Sequence, residues 1–175
     1  MEEIRTINSR RIYDGNIIGV RVDTILLGNS EEFKREVVEH NTAVTMVPID
    51  NNGNVLLVRQ YRHPTQLTLL ETPAGIVEEL ESPDEAAQRE LREEVGYGSY
   101  DLRIMGGFWT SPGFCTEFMY AYIAKDLRPS ALEQDSDENI LVEKLPLSRI
   151  PQLIRLGEIQ DSKTITALLM AIHLF

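Results

Sequence analysis

The chain has 175 residues, 42% hydrophobic and 26% charged, with 28 acidic against 17 basic side chains and a formal net charge of −11. That length suits one domain with a proper core, and the negative balance excludes unaided binding to nucleic acid or an anionic membrane, each of which needs a basic face. Cys115 is the only cysteine, which excludes an internal disulfide; with an N-terminus lacking the apolar core of a secretory signal, it points to a reducing cytoplasm.

In chain order, the first 62 residues read as strands. "RIYDG", "IIGVRVDTILLG" and "FKREVVEH" carry β-branched residues in near-alternation, parted by turn residues at Gly15-Asn16 and Gly28-Asn29. "AVTMVPID" and "NVLLVRQYR" flank Asn52-Gly53, a hairpin signal, so this region reads as an antiparallel framework. "LTLLETPAG" is another strand, punctuated by Pro73 and Gly75. Ser82 as N-cap, Pro83 at the first helical position and Glu85 in a capping box predict a helix over 83–95 that stops at Gly96. "LRIMGGFW" and "EFMYAYIAKDL" are strands around "TSPGFCT", and an acidic loop "EQDSDEN" precedes the strand "ILVEKLPL". Two helical patterns close the chain, and the last apolar stretch, 165–175, is about half of the ~20 residues of a membrane span. Mixed strands then helices, with no repeat and no linker, predict a compact α+β or α/β/α sandwich.

The predicted helix poses the chemical question. Between Pro73 and Tyr97 stand seven glutamates and one aspartate. Glu90, Glu93 and Glu94 share one helical face, while Ala87, Leu91 and Val95 form the adjoining stripe that packs on a sheet. Like charges at these spacings cost about 0.2–0.5 kcal/mol per pair. A charge run taken alone is a solvated surface; a crowded one also suits a hard divalent cation such as Mg²⁺, which takes oxygen ligands and commonly shares them with substrate phosphates.

The spacing around the face is more specific. Gly75, Glu81, Arg89-Glu90-Leu91, Glu93-Glu94 and Gly96-Tyr97 fill every specified position of the box of the Nudix hydrolases, which the chain resembles over most of its length. "RQYR" (59–62), "PAG" (73–75) and "SPG" (111–113), with Pro112 fifteen residues past Tyr97, resemble the ADP-ribose pyrophosphatase and nucleoside diphosphate sugar hydrolase branch. The resemblance implies an α+β Nudix fold: an α/β/α sandwich with a mixed sheet over residues 42–175, preceded by an N-terminal antiparallel strand region, 1–41, used for dimerisation and as a wall of the substrate site.

By the same resemblance, Glu90, Glu93, Glu94 and the carbonyl of Ala74 are metal ligands, and Glu81 with Arg89 holds the loop-helix junction. Arg35 and Arg62 grip the substrate's phosphates, a task suited to a planar guanidinium fork. Ile76 contacts the base, Ser111 belongs to the substrate loop, and Glu117 reaches into the site of a partner subunit. The catalytic group comprises Glu93, Glu94 and a base from the acidic loop, with Glu138 placed best among Glu133, Asp135, Asp137 and itself. The position near Ile17, aromatic in some relatives, is aliphatic here, which implies modest discrimination between bases.

Other motifs fail on context. "GYGSYD" sits at a helix end, where no dinucleotide fingerprint belongs; His40, His63 and His173 are scattered, with no paired cysteines for zinc; no G-x-S-x-G occurs. The expected function is therefore Mg²⁺-dependent hydrolysis, with Mn²⁺ as a substitute, of the pyrophosphate bond of ADP-ribose or a related nucleotide sugar, by a cytoplasmic homodimer without nucleic-acid or membrane partners. GDP-mannose is the alternative substrate, and a non-catalytic module that senses ADP-ribose is the alternative role.

Overall fold

The computed structural model describes residues 3–28, 31–133 and 139–174. They form two compact units, 1–42 with 109–118 and 43–108 with 119–175.

The first unit is a three-stranded antiparallel sheet of β1 (Ile4–Asp14), β2 (Ile18–Leu27) and β3 (Glu31–His40) in the order β1-β2-β3. The β2–β3 ladder runs without interruption from Ile18↔His40 to Leu27↔Glu31, whereas β1 shifts register between Thr6 and Asn8 and again between Arg11 and Tyr13. The 109–118 loop docks on β3: the Val38 amide donates to the Phe114 carbonyl at 2.7 Å and the Thr116 amide to the Val38 carbonyl at 2.9 Å. β1 is exposed along its whole length, Ile4, Ile7, Ile12 and Tyr13 included.

The second unit begins with β4 (Ala43–Pro48), β5 (Asn54–Arg62), β6 (Leu67–Glu71) and β7 (Ala74–Ile76). Helix α1 (Pro83–Glu94) follows, then β8 (Tyr97–Trp109), β9 (Phe118–Pro129) and β10 (Leu141–Pro146). A 3₁₀ turn (Leu147–Arg149) leads into α2 (Ile150–Arg155), and α3 (Ser162–Leu174) ends the chain. One sheet has the order β7-β4-β9-β8 and the other β10-β5-β6. The architecture is α+β, with a parallel β4–β9 pair among antiparallel ones.

Residue parity sorts the core into two layers. Val47, Val55, Leu57, Ala121 and Ile123 turn to one side and pack with Ile150, Leu153, Ala167 and Leu168 of α2 and α3. Val44, Met46, Leu56, Val58, Tyr122 and Ala124 turn to the other and pack with Ala86, Ala87 and Leu91 of α1. Because successive strand side chains point to opposite faces, a strand covered by helices on both sides must be apolar at both parities. β4 is buried from end to end and apolar except for Thr45, whose hydroxyl is hydrogen-bonded to the Pro73 carbonyl.

The same constraint corrects the hairpin reading. The turn at Asn52-Gly53 forms: the Gly53 amide donates to the Asp50 carbonyl at 3.0 Å, and Gly53 has φ +75°. Yet β4 and β5 form no ladder: an isolated bridge joins Ile49, just past β4, to Val55, and the strands then part, β4 to β9 and β7, β5 to β10 and β6. A turn signal is local, whereas the partner of a doubly buried strand is chosen by residues far along the chain.

Helix α1 starts as its sequence dictates. The Ser82 side chain accepts the Glu85 amide, the Glu85 carboxylate accepts the Ser82 amide at 2.9 Å, and Pro83 sits at a position whose N–H is not needed. The Tyr122 hydroxyl of β9 donates to Asp84 at 2.6 Å, tying the first turn to the sheet; burial and then that bond push its pKa above the ordinary range. Since Leu91 is fully buried in this layer, Leu91→Ala should cost about 2–5 kcal/mol in urea denaturation. Leu80→Ala, at a fully exposed loop position, should stay within about 0.5 kcal/mol of the parent.

Candidate active site

Arg89 organises the acidic face. Its Nε donates to Glu81 Oε1 at 2.9 Å, and its Nη2 to Glu81 Oε2 at 3.0 Å and to the Ile76 carbonyl at 2.9 Å. Its Nη1 donates to Glu90 Oε1 at 2.7 Å and to Glu93 Oε2 at 3.0 Å. A guanidinium has five N–H donors in a fixed fork, so every donor is matched. These bonds, the one to Glu81 foremost and against the opposing effect of burial, raise the Arg89 pKa; Arg89 in turn holds the Glu81 carboxyl below its ordinary value.

The glutamates are not the exposed, mutually repelling row that helical spacing alone predicts. Glu90 is 8% and Glu94 2% exposed, and buried carboxylates need compensation. Arg89 supplies it for Glu90 and Glu93, while Glu94 Oε2 accepts the Ala74 amide at 3.1 Å. Strand β7 is thus clamped residue by residue: Ala74 by Glu94, Ile76 by Arg89, and Gly75 under the Glu90 side chain. A Cβ on Gly75 would fall inside the Glu90 carboxyl, so any larger residue there would push that carboxyl away from its bond with Arg89.

This donor set fits a hard divalent cation. Glu90, Glu93, Glu94 and the peptide carbonyl of Ala74 offer only oxygen, which suits Mg²⁺ or Mn²⁺ and not the nitrogen and sulfur preference of structural zinc. Among the described residues no three His, Cys, Asp or Glu side chains already surround a common point at ligand distance. The carboxylates are instead held by Arg89 and by β7.

The other expected site residues are distributed as follows. Ile76 stands in β7 and Arg62 at the end of β5. Arg62 is committed on one edge: Nε and Nη2 fork onto Glu71 Oε1 and Oε2, both at 2.9 Å. Arg35, Ser111 and Glu117 belong to the first unit. The Arg35 guanidinium lies over the Phe33 ring, 5.6 Å from its centroid, and donates to the Lys34 carbonyl at 3.0 Å. Ser111 accepts the amides of Phe114 and Cys115 at 3.1 and 2.9 Å. Glu117 accepts the Thr110 hydroxyl at 2.6 Å, with His40 Nδ1 3.6 Å from its other oxygen. Glu133 is exposed; Asp135, Asp137 and Glu138 lie outside the described residues.

Sequence reasoning missed the partners of Arg62. Glu71, only 1% exposed, accepts from Arg62 and from Lys163 Nζ, and Lys163 also donates to Asp161 at 2.8 Å. Burial pushes the Glu71 carboxyl up, but hydrogen bonds from Arg62 and the charge of Lys163 outweigh it and leave the group below its ordinary value. The available signals were a glutamate inside an otherwise apolar strand and "DSKT" at a helix start.

A depressed carboxyl contributes stability that is complete above its unfolded value and lost as the pH falls through its folded one. Glu71→Gln strands two cations, and removing one partner of a buried ion pair costs about 3–5 kcal/mol. Denaturant midpoints of parent and variant should differ most at neutral pH and converge below the folded value. A gap independent of pH would show that the ion pairs carry none of it.

Comparison with known proteins gives a consistent kinship. The NUDIX domain profile matches residues 39–168. A methanol dehydrogenase activator of Bacillus methanolicus is 38% identical over 167 residues, covering 94% of this chain and 90% of its own. An ADP-ribose pyrophosphatase of Bacillus subtilis (strain 168) is 36% identical over 170 residues, covering 95% and 91%. The crystal structure of an ADP compounds hydrolase superposes with a TM-score of 0.91 at 26% identity, over 99% of this chain and 95% of that one. With the profile spanning most of the chain and the Arg89-centred box folded as a unit, the protein belongs to the Nudix family.

Proposed function

We propose that the chain hydrolyses the pyrophosphate bond of ADP-ribose or a related nucleoside diphosphate sugar, giving a nucleoside monophosphate and a sugar phosphate. The observation that carries this reading is the gathering of carboxylates at one end of α1, Glu90 and Glu93 on Arg89 and Glu94 on the Ala74 amide: a set of hard oxygen ligands, Glu90 and Glu94 buried and Glu93 half-buried, in a strongly acidic protein. The kinship with an ADP-ribose pyrophosphatase and the fold of an ADP compounds hydrolase support the substrate class.

In this reading Glu90, Glu93, Glu94 and the Ala74 carbonyl hold Mg²⁺, or Mn²⁺ in its place. A bound divalent cation neutralises the phosphates and lowers the pKa of a coordinated water. The chain's own task is to fix those oxygens, which Arg89 and β7 perform. Arg62, through the edge that makes no hydrogen bond among the described residues, and Arg35 bind the diphosphate; Ile76, Ser111 and Glu117 complete the substrate contacts; Glu138 takes the proton of the attacking water. The exposed Ile4, Ile7, Ile12 and Tyr13 of β1 support a homodimer built on the N-terminal strands, because an exposed eleven-residue edge strand carrying apolar side chains is a liability in a monomer. The lone Cys115 agrees with a reducing cytoplasm. A role as activator of a dehydrogenase is the second reading, favoured by the 38% identical relative; a purified protein that turns over none of these substrates yet accelerates a dehydrogenase would select it.

The test is a panel of ADP-ribose, GDP-mannose and dinucleoside polyphosphates, assayed with Mg²⁺ and then with EDTA. ADP-ribose should lead and EDTA should abolish turnover throughout. A dinucleoside polyphosphate preferred by more than about tenfold, ~1.4 kcal/mol of transition-state stabilisation, would overturn the substrate and spare the hydrolase. Glu90→Gln and Glu94→Gln should each lower kcat by about a hundredfold or more with circular dichroism unchanged; near-normal turnover at millimolar Mg²⁺ would remove these residues from the metal site. Sedimentation should give a dimer, and a stable monomer of 19.9 kDa would contradict the role given to β1.

A further inference from the structure

A line of buried hydroxyls runs from the start of α3 to the strand that carries Ala74. Asp161 Oδ2 accepts the Thr164 amide at 2.9 Å and the Thr164 hydroxyl at 2.5 Å. Thr164 Oγ1 in turn accepts the Thr72 amide at 2.9 Å and lies 3.2 Å from Thr72 Oγ1. Thr72 Oγ1 is 2.8 Å from Thr45 Oγ1, and Thr45 donates to the Pro73 carbonyl at 3.2 Å. The three threonines are fully buried.

The sense of the line is fixed at its Asp161 end. An ionised carboxylate only accepts, and Lys163, donating to both Asp161 and Glu71, keeps Asp161 ionised. Thr164 must therefore donate to Asp161, which leaves its oxygen to accept the Thr72 amide. The Thr72 hydroxyl lies between those of Thr164 and Thr45, within hydrogen-bond reach of both, and Thr45 donates to the Pro73 carbonyl, which also accepts the Met46 amide at 3.0 Å. Each hydroxyl donates once, and each proton meets one acceptor.

We propose that Thr164, with Asp161 and Thr72, is a positioning residue for the metal cradle. The Thr72 amide is held by α3 and the Ala74 amide by Glu94 of α1. The two anchors are two residues apart, so the peptides between them have little freedom, and displacing Thr72 displaces the Ala74 carbonyl. Asp161 and Lys163 tie this backbone to the same network that seats Arg62 on Glu71. The proposal rests on the reading of Ala74, Glu90, Glu93 and Glu94 as metal ligands.

The test is direct Mn²⁺ binding to the full chain, read as free Mn²⁺ by electron paramagnetic resonance, for the parent, Thr164→Val, Thr164→Ser, Glu90→Gln and the buried control Ile159→Val. Groups that orient metal ligands typically cost 10–100-fold in affinity when removed. Thr164→Val should therefore weaken binding by about tenfold or more, with kcat at saturating Mn²⁺ within about threefold of the parent. Thr164→Ser restores the hydroxyl and should bind like the parent, as should Ile159→Val. Should Thr164→Val bind within twofold of the parent while Glu90→Gln loses binding, the positioning role is wrong and the metal site stands. Should Glu90→Gln also bind normally, both fall. In the parent, hydrogen exchange gives a measurement that needs no variant: by reciprocity of coupling, saturating Mg²⁺ should slow exchange of the Thr72 amide. Exchange there unaffected by Mg²⁺ would overturn the proposal even if Thr164→Val does not fold.

Discussion

The acidic face depends on one guanidinium. Glu90 and Glu94 are buried on a helix that also carries Glu93, in a protein of net charge −11. Such a face would repel itself apart or draw water into the core. Arg89 resolves this by geometry as much as by charge. Its fork spends two donors on Glu81, one on Ile76 and one each on Glu90 and Glu93. Lysine carries the same charge but no planar fork, and it would leave part of this set unmatched.

From that fork the arrangement extends outward by short covalent steps. Ile76, held by Arg89, ends β7; Ala74, held by Glu94, begins it; β7 pairs with β4, which is buried on both faces between the α1 layer and the α2–α3 layer. The carboxylates on α1 are thus tied to a strand that pairs with one packed on both faces. A site on such an element holds its geometry better than one on a loop. α3 reaches the same strand end from the opposite layer through Thr164 and Thr72.

Much of this was legible in the sequence, and the reason differs from place to place. The limits of α1 were readable because Ser82, Pro83, Glu85 and Gly96 each act within one helical turn. The box was readable because its spacing is periodic on that helix. The partition of β4 and β5 into different sheets was not, since Val44 to Val47 and Val55 to Val58 are buried at both parities and the alternation that encodes register is missing there. The burial of Glu90 and Glu94 was hidden for the opposite reason: helical spacing places charges on one face but does not reveal that a strand lies across it. Glu71 and Lys163, 92 residues apart, form a contact with no local signature. Arg62 was therefore read as free for substrate when one of its edges is taken.

Whether the fork of Arg89, and not its charge alone, organises the carboxylates for hydrolysis is decided by the turnover of ADP-ribose by Arg89→Lys at saturating Mg²⁺. Misplacing catalytic groups by about an ångström costs on the order of a hundredfold. The account predicts a fall of that size in kcat/KM with the protein still folded. An Arg89→Lys enzyme within about threefold of the parent, less than 1 kcal/mol of transition-state stabilisation, would contradict it.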